Sequence, residues 1–155
     1  ILEFPKDHGC DTLDRQYMLG DALLVAPVFK ESGEVDYYLP KGKWINLITG
    51  EKKDGGSWQK EVHDYHSLPL LLRENTILPM GNNEESVVYG YSDGVTLLVS
   101  EFTEGGCAKA EIPDADGKTV MRVWARREGD EIIVRVEGEG NYSIKNLGSG
   151  QILKY

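Results

Sequence analysis

Asp11, Asp14 and Asp21 stand close together near the start of the chain. Paired carboxylates are what glycoside hydrolysis requires: with retention of configuration, two carboxyl groups about 5–5.5 Å apart across the sugar. Capping and loop hydrogen bonding are the simpler roles for Asp11 and Asp14, and Arg15 offers either of them an exposed ion pair worth about 0–1 kcal/mol. His63 and His66 have H-x-x-H spacing, which on a helix would place both near one face. On the extended segment read here they point to opposite sides, no cysteine or carboxylate cluster completes a zinc set, and both read as surface histidines. Trp44, Trp58, Tyr37, Tyr38 and Trp124 could form a flat platform for a pyranose ring. The competing role is core packing, because aromatic side chains bury the largest area per residue, and the core is the expected place for most of them. Cys10 and Cys107 lie far apart without C-x-x-C spacing, which fits two free thiols in a reducing cytoplasm. Dinucleotide, P-loop and Ser-His-Asp patterns are absent from the linear sequence.

The scaffold for these residues is bounded by composition. A chain of 155 residues fits one ordinary domain or two small ones. Its formal net charge of −9 excludes nucleic acid and anionic membrane surfaces as partners, since both need a basic face, and is compatible with a neutral sugar. No apolar run approaches the roughly 20 residues that span a bilayer. The N-terminus, ILEFPKD, has neither an initiator methionine nor a signal-peptide pattern, so the chain is expected to begin mid-protein.

The 18 glycines and thinly spread aromatics predict many short strands joined by tight turns, with little helix. Residues 1–4 read as a strand stopped by Pro5. Residues 6–12 read as a loop, and 13–19 as one or two helical turns, with Leu13 and Tyr17 at i and i+4, ended by Gly20 at a C′ position. Residues 22–29 form an apolar run of the length of a strand buried on both faces. Residues 34–39 alternate Val35, Tyr37 and Leu39 inward against Asp36 and Tyr38 outward. Residues 43–47 alternate around Trp44, and 61–65 read as an edge strand. Residues 77–80 close a first sandwich near Gly81, and the acidic break at 82–85 is the expected linker. Strands then follow at 87–91, 95–101, 107–112, 120–127, 131–137, 142–147 and 152–155, punctuated by Asp-Gly and Gly-Gly turns, which argues a second antiparallel sandwich. Ile132, Val134 and Val136 against Ile133, Arg135 and Glu137 is the clearest half-buried alternation.

The block DRQYMLGD at 14–21, inside GCDTLDRQYMLG, resembles glycoside hydrolase family 31, specifically its bacterial α-xylosidase branch. The resemblance extends to residues 1–5, LPKGKW at 39–44 and LPLLLR at 68–73, and more weakly to DGV, EIPDADG and the closing strands. It implies an all-β chain: residues 1–20 as the end of a (β/α)8 barrel and connector, 21–81 as a proximal C-terminal β-sandwich and 82–155 as a distal one. The family's nucleophile and acid are aspartates on earlier barrel strands, so no catalytic, cofactor-binding or metal-binding residue carries over, no cofactor is called for, and the DRQYMLGD block is structural. The implied parent is an exo-acting retaining α-glycosidase releasing α-linked xylose from oligosaccharides, with an α-glucosidase and a stand-alone carbohydrate-binding module as alternatives. The implied partners are the rest of the parent enzyme and, through it, the oligosaccharide. A strand stub without its barrel neighbours also invites self-association.

Overall fold

The computed structural model describes residues 3–148 and 150–155, so Ile1 and Leu2 of the expected first strand lie outside the described residues. The architecture is all-β, as expected: among the described residues the one helical turn is a 3-10 turn at His8–Cys10. The chain divides between Glu74 and Asn75 into two units.

The first unit contains β1 (Tyr17–Leu19), β2 (Leu23–Val25), β3 (Glu34–Leu39), β4 (Lys43–Asn46), β5 (Lys52–Asp54), β6 (Ser57–Val62) and β7 (Leu70–Arg73). One sheet runs β1-β2-β7-β4-β5 and a second pairs β3 with β6, all antiparallel. The core between them is Leu24, Ala26, Val35, Tyr37, Leu39, Trp44 and Leu71, with Phe4, Met18 and Val28 packed against it. Residues 22–26 are buried, as their apolar run requires, but Pro27 lacks the N–H that would continue the ladder and Phe29 is 71% exposed.

Residues 17–19 are a strand and not the expected helical turn. Tyr17 pairs with Val25 and Leu19 with Leu23, so the side chains alternate with Tyr17 and Leu19 outward and Met18 partly buried. Gly20 does have the expected positive φ, +65°, but as a residue of the β1–β2 hairpin turn. Tyr38, expected outward, is buried, because the segment around the 3-10 turn covers it and Asp7 accepts its hydroxyl at 2.9 Å.

The second unit contains β8 (Ile77–Met80), β9 (Val95–Val99), β10 (Cys107–Pro113), β11 (Thr119–Glu128), β12 (Glu131–Gly138), β13 (Tyr142–Asn146) and β14 (Ile152–Lys154). Sheets β10-β11-β12-β14 and β13-β9-β8 enclose one core, with Ile77, Val95, Leu97 and Val99 from one and Ala110, Met121, Val123, Ile132 and Val134 from the other. Burying the inner faces of two sheets against each other is what makes a sandwich. Two pairings, β13 with β9 and β14 with β12, are parallel.

The strand at 77–80, read from sequence as closing the first sandwich, instead pairs antiparallel with β9, and Ile77 enters the second core. Residues 87–91 form no strand. Asn83 Oδ1 accepts the backbone N–H groups of Glu85 and Ser86 at 2.9 Å each, a local side-chain bonding that competes with a ladder. Val87 and Val88 are left exposed.

Candidate functional site

The aspartates that suggested catalysis are exposed on the first unit. Asp11 Oδ2 lies 3.2 Å from His8 Nδ1. Arg15 makes no ion pair with Asp11 or Asp14 among the described residues. The carboxylate that the fold does hold near them is Asp7, which accepts from the backbone N–H of Lys41 at 3.1 Å, the Tyr38 hydroxyl at 2.9 Å and the Gly9 N–H at 3.2 Å. These bonds, the one from Lys41 foremost, hold its carboxyl below the usual range, and the bond to Asp7 raises the Tyr38 phenol. Cys10 is buried and its thiol is pushed up by that burial and then by the Asp7 charge, which makes it a packing residue and not a nucleophile. Cys107 is exposed, and both cysteines are free.

Of the aromatic candidates, Trp44, Tyr37 and Tyr38 are core. Trp58 is 63% exposed beside Tyr38, with ring centroids 5.8 Å apart edge to face. Trp124 is half-buried on β11.

The densest polar arrangement is one that sequence reasoning missed. Gln59, Glu61 and His63 follow one another at alternate positions from β6, and each is less exposed than the residues between them. The Glu61 carboxylate accepts from the Tyr37 hydroxyl at 2.6 Å and from Lys53 on β5, while Glu61 Oε2 lies 2.7 Å from His63 Nε2. His63 Nδ1 is 3.1 Å from Ser67 Oγ, which in turn donates to Asp64 Oδ1 at 2.9 Å. His63 is therefore not a surface residue: its side chain is 9% exposed, beside Glu61 at 17%. Burial raises the Glu61 pKa, but the bonds from Lys53, Tyr37 and His63 outweigh it and hold the carboxyl below its usual range. Tyr37 is raised, by burial first and then by its bond to Glu61. Burial lowers Lys53, yet its bonds to Glu61 and Glu51 leave it raised overall. The network joins the two sheets of the first unit through a charge pair. The one clue in the sequence was the i, i+2 spacing of Glu61 and His63 on a strand.

Although Ser67, His63 and Glu61 fall in the order of a nucleophile, base and orienting acid, Ser67 directs its hydroxyl to Asp64. Two of the depressions among the described residues lie on the first unit. One, of about 330 Å³, is bordered by Val28, Glu31, His63, Asp64 and Tyr65. The other, of about 360 Å³, is bordered by Phe4, Leu13, Tyr17, Met18 and Pro40. Neither brings Asp11, Asp14 and Asp21 together.

Residues 1–78 match the family model described as the glycosyl hydrolase family 31 C-terminal domain. The chain belongs to that family. Residues 90–153 match a second model, described as the C-terminal domain of the alpha-xylosidase YicI, so each unit of this family 31 chain has its own counterpart. An alpha-xylosidase of Emericella nidulans is 34% identical over 97% of this chain and 21% of its own length. An alpha-glucosidase of Saccharolobus solfataricus is 38% identical over 58% of this chain and 12% of its own. Among solved structures, a family 31 alpha-xylosidase from Xanthomonas citri has the same fold, with a TM-score of 0.74 and 23% identity over 94% of this chain and 18% of that one. The chain spans about a fifth or less of the length of the curated relatives it matches.

Proposed function

We propose that this family 31 chain is the non-catalytic C-terminal part of a retaining α-glycosidase, and that the parent is an α-xylosidase releasing α-linked xylose from oligosaccharides. The observation that carries the reading is the pair of family matches in chain order, the second of them to an alpha-xylosidase C-terminal domain. The exposed positions of Asp11, Asp14 and Asp21 support the absence of catalysis from the chain itself.

The catalytic barrel of the parent is the partner, and residues 1–20 are the junction to it. The groove beside Phe4, Leu13 and Met18 supports this, as does β1, which among the described residues is bonded on one side only, to β2, and presents Tyr17 and Leu19 at 53% and 56% exposure. Apolar area left in water at a strand edge returns roughly 25 cal/mol per Å² when covered. Without the barrel, a second copy of the chain is the natural occupant of that edge. The free cysteines support a reducing, cytoplasmic setting for the parent.

An α-glucosidase parent is the second reading, favoured by the Saccharolobus relative, whose match covers 58% of the chain. The discriminating experiment is hydrolysis of 4-nitrophenyl α-xyloside and α-glucoside by the longer enzyme that carries this chain. The expected result is a higher kcat/KM for the xyloside. A preference for the glucoside would move the parent to the second reading.

A further inference from the structure

Tyr65 is 96% exposed at the lip of the depression of about 330 Å³ on the first unit. That volume lies at the low end of small-molecule cavities, room for about one sugar ring. Its apolar side comes from Pro27, Val28 and Leu68, and its polar side from Glu31 and Asp64. Lys30, the cation at the rim, is engaged by Glu34 and Asp36 at 3.3 and 3.6 Å. Glu31 makes no ion pair among the described residues.

The segment carrying Tyr65 is held in place from behind. The backbone N–H of His63 donates to Gly33 at 2.9 Å. Asp64 Oδ1 accepts both the His66 N–H at 3.0 Å and the Ser67 hydroxyl at 2.9 Å, and Ser67 meets His63, which is fixed by Glu61. A fully exposed aromatic on a braced segment loses little freedom when it is covered.

We propose that this depression is a second carbohydrate-binding site, separate from any catalytic centre, that takes one neutral pyranose ring. The ring stacks on Tyr65 and its vicinal hydroxyls donate to the carboxylates of Asp64 and Glu31, a charge-assisted arrangement. Two carboxylates facing one engaged lysine exclude anionic sugars and favour a neutral polyhydroxylated ligand. The choice of a pyranose over other neutral polyols rests on the glycosidase reading of the parent. The two can fail separately, because binding is measured on this chain and hydrolysis on the longer enzyme.

The test is a proton–nitrogen NMR titration of the 155-residue chain with methyl α-D-xylopyranoside and methyl α-D-glucopyranoside. Saturable shifts of the amides at 31–33 and 63–67 are expected, with a dissociation constant on the order of 1–10 mM. Tyr65→Ala should weaken binding about tenfold or more, while Tyr65→Phe retains it. Asp64→Asn and Glu31→Gln should each weaken it about three- to tenfold. Trp58→Ala, which removes an exposed aromatic of this unit that does not line the depression, should leave it unchanged. Tyr65 projects into solvent, so its loss leaves the core intact, and an unchanged spectrum away from the site verifies the fold. The proposal is overturned by the absence of saturable shifts, by shifts that survive Tyr65→Ala or vanish with Trp58→Ala, or by the same shifts appearing with calcium chloride and no sugar.

Discussion

Replacing Glu61 with glutamine keeps the shape of the residue and removes the charge that three neighbours share. Tyr37 loses an ionised acceptor, His63 loses its carboxylate partner at 2.7 Å, and Lys53, 11% exposed, keeps only Glu51 at 3.4 Å. Hydrogen bonds to charged groups are worth about 1.5–3 kcal/mol each, and breaking a buried pair costs about 3–5 kcal/mol. The glutamine carbonyl still accepts one bond and Glu51 still faces Lys53, so the expected loss is about 2–3 kcal/mol. Urea denaturation followed by tryptophan fluorescence measures it, since Trp44 and Trp58 both lie in the first unit. The loss should lower the midpoint with little change in slope. The Glu61 pKa is depressed in the folded chain, so its contribution is present above the unfolded carboxylate value of about 4.3 and disappears as pH falls through the lower folded value. The gap between wild type and Glu61→Gln should therefore be constant near neutrality and close in acid. In a cycle with Lys53→Met, the coupling should be about 1–3 kcal/mol. A gap below about 0.5 kcal/mol at pH 7, or one that persists unchanged in acid, would refute the view that this charge network joins the two sheets.

Gly20 sits at φ +65° with open space around a would-be Cβ, so only backbone strain penalises substitution. Gly20→Val should cost about 1–2 kcal/mol and Gly20→Asn markedly less; equal denaturation midpoints would show that the hairpin needs no left-handed residue. Thiol titration in denaturant without reductant should find both Cys10 and Cys107 reactive, and a mass two daltons low would overturn this. In the native state only the exposed Cys107 should react quickly. Light scattering across a concentration series should show self-association through the open β1 edge, abolished by Tyr17→Lys with Leu19→Lys; a monomer at every concentration, or association that survives the double substitution, would count against that edge.

Local pattern carried much of this architecture. The alternation at 131–137 puts Ile132 and Val134 in the core at 0% and 4% exposure, and Glu128 faces Glu131 across a turn at Gly129 with φ +62°. Of the apolar run read as buried at 22–29, residues 22–26 are buried, whereas Phe29 is exposed beyond Pro27. What was misread depends on partners distant in sequence. Residues 17–19 alternate because β2 accepts them as an edge strand, and Leu13 and Tyr17 satisfied a helical period only by coincidence of spacing. Tyr38 is inside because Asp7, far back in the chain, comes to cap its hydroxyl. Residues 77–80 carry nothing that tells which sheet they join, and pairing with β9 decides it. His63 looked like half of an H-x-x-H pair, whereas its partners are Glu61 and Ser67, and the lysine that completes the network arrives from the other sheet. The depression at Tyr65 is a juxtaposition of residues 27–33 with 63–68, invisible to any local window.

The central claim, that this family 31 chain contributes no catalytic carboxylates, is tested most directly by incubating the purified chain with 4-nitrophenyl α-xyloside and α-glucoside. Retention needs two carboxyl groups across the sugar, and Asp11, Asp14 and Asp21 are exposed and border neither depression of about 330 and 360 Å³, so release of nitrophenol should not exceed the uncatalysed rate. Turnover by the wild-type chain that disappears on substituting Asp11, Asp14 or Asp21 alone would contradict the account.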